Sequence, residues 1–172
     1  MGSIAIQLAK LVGLVVIATV SRPETKDWVL RLGSDYVVDH RQPLPQQLSA
    51  LGYGEVDYIA NFNNTDTYWM TMSEVIRPEG KIVSVVENEN PLDLNTLKAK
   101  SATFAWEFMF TRSMFTTPDM QQQHELLNKV ASLVDAGKLR TTLTETLTPI
   151  NASNLPGVES VTYGLRNRCS TS

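Results

Sequence analysis

Two short polar pairs carry the chemistry that the sequence offers most directly: Ser21-Arg22 and His40-Arg41. Each follows an apolar run with strand character. In open α/β sheets, ligands sit outside the carboxyl ends of the strands, and in dinucleotide sites the residue at such an end meets the adenosine ribose. An Asp or Glu there accepts hydrogen bonds from a free 2′-hydroxyl. Ser21 and Arg22 offer a donor and a positive charge, which suit a 2′-phosphate and point to NADP(H) rather than NAD(H). Arg22 reads equally well as a solvated loop cation ahead of a helix that starts at Pro23. Other reactive types are sparse. His124 falls on a helix and reads as a packing or surface residue, and Cys169 has no predicted base or helix terminus to activate it.

The element that must position Ser21 and Arg22 is Leu14 to Val20, uncharged throughout, entered through Gly13 and left toward Pro23. This predicts a strand buried on both faces, as in parallel sheets covered by helices. Before it, Ile4, Leu8, Leu11 and Val12 recur at helical spacing, with Ser3 as cap and Gly13 as stop. After it, Pro23 opens a helix ending at Gly33, with Trp28, Val29 and Leu32 inward. Tyr36 to Asp39 is a short strand that brings His40 and Arg41 to the rim of Ser21 and Arg22 if the two strands run parallel.

The alternation continues with a helix over Gln46–Leu51, a strand over Val56–Ala60 leading into Asn61 and Phe62, and a helix bearing Tyr68, Met72, Val75 and Ile76. Arg77-Pro78-Glu79-Gly80 has the residue order of a type I turn. A strand over Lys81–Val86, a helix over Leu92–Lys100 and a strand over Thr103–Phe108 follow, then a long helix from Thr117 to about Ala136. Lys138 to Thr148 alternates as a strand with one wet side. The fold class is α/β, with a doubly wound, Rossmann-like parallel sheet. Residues 1–150 form its domain, including the return strand 139–148, and 151–172 form a divergent, loosely ordered tail.

The 172 residues suffice for one core of ordinary size. A hydrophobic fraction of 42%, a charged fraction of 19% and a net charge of −3 describe a soluble globular chain and give no electrostatic case for nucleic acid or a membrane. One cysteine excludes an internal disulfide, and two distant histidines form no metal-ligand cluster. The longest apolar stretch is far shorter than the roughly 20 residues a bilayer requires. A cytoplasmic location is the default.

Three blocks, Gly2 to Lys10, Leu32 to His40 and Ile76 to Val83, resemble in order and spacing the cofactor domain of medium-chain dehydrogenases/reductases. Trp106 to Arg112 and Leu139 to Thr144 are similar to the zinc-type alcohol dehydrogenase-like branch, relatives of the quinone oxidoreductases. The resemblance covers residues 2 to about 155. It implies NADPH-dependent hydride transfer to a small-molecule carbonyl or quinone-like substrate, without catalytic zinc. By the same resemblance, Gly2 and Ser3 close the turn under the pyrophosphate, and Ser21 and Arg22, assisted by Lys26, hold the 2′-phosphate. His40 lies by the adenosine half, Asn61 and Phe62 line the nicotinamide side, and the segment from Glu107, with Phe108, Phe110 and Arg112, edges the substrate pocket.

In the family a further strand and a Gly-rich turn precede Gly2, and that strand lies between Leu14–Val20 and Val56–Ala60. Its lack leaves two unpaired edges, a homodimer through a sheet edge becomes conceivable, and the chain alone is expected to be poorly active. A second reading is a non-catalytic dinucleotide-binding or interaction remnant. With no ligand cluster in the sequence, elemental analysis of the purified chain is expected to find no stoichiometric zinc; bound zinc would overturn that expectation.

Overall fold

The computed structural model describes residues 1–143 and Thr146. The chain divides into two units, Met1–Arg140 and Thr141–Ser172. The expected tail at 151–172 lies outside the described residues. In the first unit, helices and strands alternate: α1 (Gly2–Leu11), β1 (Ile17–Val20), α2 (Pro23–Arg31), β2 (Tyr36–Asp39), α3 (Leu44–Ala50), β3 (Val56–Asn61), α4 (Thr65–Val75), β4 (Ile76–Ser84), α5 (Asn95–Lys98), β5 (Thr103–Trp106), α6 (Thr111–Met114) and α7 (Gln121–Asp135).

Every strand pairing is parallel. The strands form two sheets, β1-β2 and β3-β4-β5. The division between β1 and β3 falls where the sequence resemblance places a further strand. Each sheet has its own apolar cluster. Ile6 of α1 packs with Ala18, Val20, Val29 and Leu32 on the first, and Trp69, Met72, Ile76, Ile82 and Leu97 pack on the second. This is the helix-covered parallel arrangement of a Rossmann-like domain.

The organising strand is shorter and wetter than its composition predicts. Leu14 to Val16 are not in a strand, and Leu14 and Val15 are exposed. The Leu14 N–H bonds the Ala9 carbonyl as part of the α1 terminus, while Asp35 holds the Val16 N–H at 2.7 Å and the Lys10 ammonium beside it. Within β1, Ala18 and Val20 are buried on one face while Thr19, on the other, is exposed. Ser3 does not cap α1. Met1 occupies that position without a side-chain bond, and the Ser3 hydroxyl accepts instead from Trp28 Nε1 at 3.0 Å.

Several other boundaries move. The helix expected from Gln46 begins at Leu44, and Leu92–Lys100 holds only the single turn of α5. The long helix begins at Gln121 instead of Thr117, and it buries none of its residues, with Leu126 and Leu127 exposed. Over Leu139–Leu143 the backbone is not a strand; the rest of the expected return strand is, apart from Thr146, outside the described residues. The Gln7 side chain instead clamps this segment, accepting from the Arg140 N–H at 2.6 Å and donating to its carbonyl at 3.0 Å.

The strand expected from Lys81 begins at Ile76, and within its first half Glu79 has φ 61°, the left-handed value that a type II turn, not type I, places at its third residue. The Glu79 N–H is fixed by the Lys100 carbonyl at 2.7 Å, and Lys100 Nζ donates to the carbonyls of Glu74 and Ile76 at 2.6 Å each. Lys100 thereby closes the end of α4 against β4. At Gly80, an added Cβ would stand 2.6 Å from Ile76 Cδ1 and 2.9 Å from the Arg77 carbonyl oxygen. Ile76 is fully buried, so it has no room to yield. Gly80→Ala is therefore expected to destabilise by about 1–3 kcal/mol in urea unfolding. Gly54→Ala, which meets no atom within 4 Å, should change stability far less; equal effects would contradict the packing account.

Candidate functional site

The parallel register of the first sheet pairs Val20 with Asp39. The residues that leave the two strands, Ser21-Arg22 and His40-Arg41, therefore lie side by side at one rim, and the His40 N–H bonds the Val20 carbonyl at 3.3 Å. Arg22 has extended backbone as the residue before Pro23 and caps α2. Its carbonyl accepts from the Lys26 N–H at 3.0 Å, so Lys26 lies one turn along the same helix. Ser21 and His40 are half-buried, whereas Arg22 and Lys26 are exposed.

The cations are not equivalent. Lys10, Arg41, Arg77, Lys100 and Arg112 each contact a carboxylate. Among the described residues, neither Arg22 nor Lys26 does. Arg41 is turned back onto Asp39, with Nη2 at 2.7 Å, and this pairing holds the Asp39 carboxyl down at about 2. Asp35 also lies below the usual carboxylate value, chiefly through the Lys10 hydrogen bonds and then the Val16 N–H. The rim charge of Arg41 is thus largely answered locally, while those of Arg22 and Lys26 face outward.

Gly2 and Ser3 form the first turn of α1, an end where helix N–H groups and the macrodipole favour anions. Beside the rim, an open cleft of about 290 Å3 runs between His40, Gln42 and the start of α3 on one side and Thr67, Tyr68, Thr71 and Glu74 of α4 on the other. This cleft brings His40 of the first sheet's rim against α4 of the second sheet. Nothing in residue spacing signals that contact.

In the second sheet, Asn61 pairs with Ser84, so the carboxyl ends of β3 and β4 are level. Phe62 is half-buried just beyond. Asn61 does not present its amide to the rim: it is 7% exposed, and both amide hydrogens are directed to Thr65 and Ser84. In the sequence Thr65 reads only as a candidate cap of α4 and Ser84 has no signature; the cap is Asn64, whose side chain accepts from the Thr67 N–H at 2.8 Å, and Thr65 is turned inward. Beyond β5, Phe108 and Phe110 are both about half exposed and meet edge to face at 5.4 Å. Arg112 is half-buried and donates from Nε to Asp119 at 3.1 Å. No described helix is long and apolar enough to cross a membrane. Among the described residues, no three His, Cys, Asp or Glu side chains gather as a metal site.

Residues 1–129 match the family model described as zinc-binding dehydrogenase. The chain belongs to this family. A zinc-type alcohol dehydrogenase-like protein of Staphylococcus aureus is 43% identical over 154 residues, which is 90% of this chain and 46% of that protein. A counterpart from Staphylococcus epidermidis is 38% identical over the same span. The chain thus spans about half the length of the curated relatives it matches. Among solved structures, a zinc-dependent alcohol dehydrogenase candidate from Rhizobium etli superposes with TM-score 0.83 at 43% identity, covering 95% of this chain and 48% of that one. The Escherichia coli quinone oxidoreductase complexed with NADPH superposes with TM-score 0.70 at 23% identity, over 83% of this chain and 44% of that one, a likeness of fold. The chain is accordingly an oxidoreductase-family, Rossmann-like cofactor domain.

Asp39 at this rim and Asp35 at the opposite ends of the same two strands set a pH dependence. Asp35 and Asp39 sit below the ordinary 3.8 when folded, so their stabilising effect is complete above about pH 4 and is lost as the pH falls toward 2. Urea midpoints should decline through that window, and less steeply in Asp39→Asn; identical slopes would contradict the Asp39–Arg41 pairing.

Proposed function

We propose that the chain is the nucleotide-binding part of an NADPH-dependent oxidoreductase that transfers hydride to a carbonyl or quinone-like substrate. The observation that carries this reading is the pair Arg22 and Lys26. They lie one helical turn apart at the carboxyl end of β1, and among the described residues no carboxylate neutralises them. A planar guanidinium and an ammonium at that position suit a phosphate monoester on the adenosine ribose.

The other residues of this reading have chemistry that suits the rest of such a cofactor. Gly2 and Ser3 at the start of α1 offer a pyrophosphate the helix end, Ser21 adds a hydroxyl near the ribose, and His40 flanks the adenosine half. Phe62, at the end of β3, gives the nicotinamide side an apolar edge. The bound cofactor supplies the hydride. The contribution of this chain is to hold the dinucleotide at both ends and orient it, which removes much of the entropic barrier to transfer. Phe108 and Phe110 offer apolar surface to a small-molecule substrate. Arg112, engaged by Asp119, borders that surface and is not a free anion receptor. A homodimer through a sheet edge belongs to the same reading, as does a cytoplasmic setting where NADPH is at hand.

Reversing the charge of Arg22 tests the proposal. Arg22→Asp should lower affinity for NADPH by about ten- to a hundredfold, as loss of a charge-assisted phosphate contact predicts, and change NADH much less. Fluorescence titration with the two cofactors decides it, and equal losses would remove Arg22 from the 2′-phosphate role.

A further inference from the structure

Asn61, Thr65 and Ser84 form a closed hydrogen-bond network under the second rim. Thr65 and Ser84 are fully buried. Asn61 Nδ2 carries two hydrogens and has two acceptors, Thr65 Oγ1 and Ser84 Oγ, each at 3.0 Å. The two hydroxyls lie 2.9 Å apart. Thr65 donates to the Val86 carbonyl, which leaves the Ser84 hydrogen for Thr65 Oγ1 or for that same carbonyl at 3.2 Å. Ser84 Oγ in turn accepts from the Val86 N–H at 3.3 Å. The main chain adds a Val85 N–H to Asn61 carbonyl bond of 3.2 Å, and Asn61 Oδ1 accepts from the Asn63 N–H.

No buried polar side-chain atom among the described residues is left without a partner. The network is therefore fully satisfied without a ligand. It continues the apolar cluster of Trp69, Met72, Ile76, Ile82 and Leu97 toward the strand ends, with Ser84 two residues after Ile82 in β4 and Thr65 four residues before Trp69 in α4. What it grips is specific: the end of β3, the first residue of α4, the end of β4 and the two residues after it. The loop Phe62–Asn64 is thus held from both ends, and Val85–Val86 is held against it.

We propose that Asn61, Thr65 and Ser84 are positioning residues for the nicotinamide half of the dinucleotide, acting through Phe62 and the Val85–Val86 backbone and not by touching the cofactor. The proposal rests on the dinucleotide reading. A site whose loops are pre-set binds without the ordering cost that a mobile rim would add. The adenosine half depends on the other sheet, at Ser21, Arg22 and His40, so the two halves of the ligand report separately.

The test is calorimetric titration of the chain and its variants with NADPH and with 2′,5′-ADP, which carries the adenosine half alone. Thr65→Val keeps the shape and removes the hydroxyl; it should weaken NADPH about tenfold and leave 2′,5′-ADP within about twofold, whereas Thr65→Ser should retain both affinities. Ser84→Ala, a smaller perturbation of the same ring, should repeat the pattern and serves if Thr65→Val fails to fold. Equal weakening of both ligands, or unchanged NADPH affinity, would overturn the positioning role. If the unmodified chain binds 2′,5′-ADP as tightly as NADPH, the nicotinamide half gains nothing at this rim and the proposal falls while the adenosine site stands. Binding of neither ligand would bring down the dinucleotide reading itself.

Discussion

The candidate site depends on parallel strand register. Because Val20 stands opposite Asp39, the residues that follow both strands emerge together, and because Asn61 stands opposite Ser84, the second pair of strand ends is level. A register slip of one residue would turn every side chain to the opposite face of the sheet. The register is held by packing below the rim: Ala18, Val20 and Val38 are buried in the first sheet and Ile82 in the second. Asp35 reinforces it by joining Lys10 at the end of α1 to the Val16 N–H just before β1. The placement of residues at the rim is therefore a consequence of buried apolar residues beneath it.

Charge pairing occupies five cations among the described residues, and what sets Arg22 and Lys26 apart from other unpaired ones such as Lys81 and Lys98 is their place at the carboxyl end of a strand. Lys100 is spent on the α4 terminus, Lys10 on Asp35, Arg77 on Asp57, and Arg112 on Asp119. Arg41 reaches the rim beside His40 but is answered by Asp39 two residues earlier. Arg22 and Lys26 have no such partner among the described residues, although the chain as a whole is acidic.

Most of this architecture was legible in the residues. Alternating apolar runs and helical spacings located ten of the twelve elements near their observed places, with α6 unforeseen and α5 much shorter than expected. The apolar run at Leu14 misled because hydrophobicity records the need for burial, not the presence of a neighbouring strand. Leu14 and Val15 remain exposed, and the sheet divides beside β1. The turn type at Glu79 was set by a contact from Lys100, about twenty residues away, which no dipeptide rule contains. Asn61 was legible as a rim residue from its place after a strand, but its inward hydrogen bonds were not. They depend on where Thr65 and Ser84 fall in three dimensions. Leu127 shows the reverse case: it recurs with Val130, Ala131 and Val134 at helical spacing, yet it is exposed among the described residues.

The central claim is that the carboxyl ends of β1 and β2 receive the phosphorylated adenosine end of a dinucleotide. Amide chemical-shift mapping by two-dimensional NMR during titration with NADP+ tests it most directly. The account predicts the largest shifts at Gly2 and Ser3, at Ser21, Arg22 and Lys26, and at His40, with α7 unaffected. Saturable shifts concentrated away from Ser21, Arg22 and His40, or none at millimolar NADP+, would contradict it.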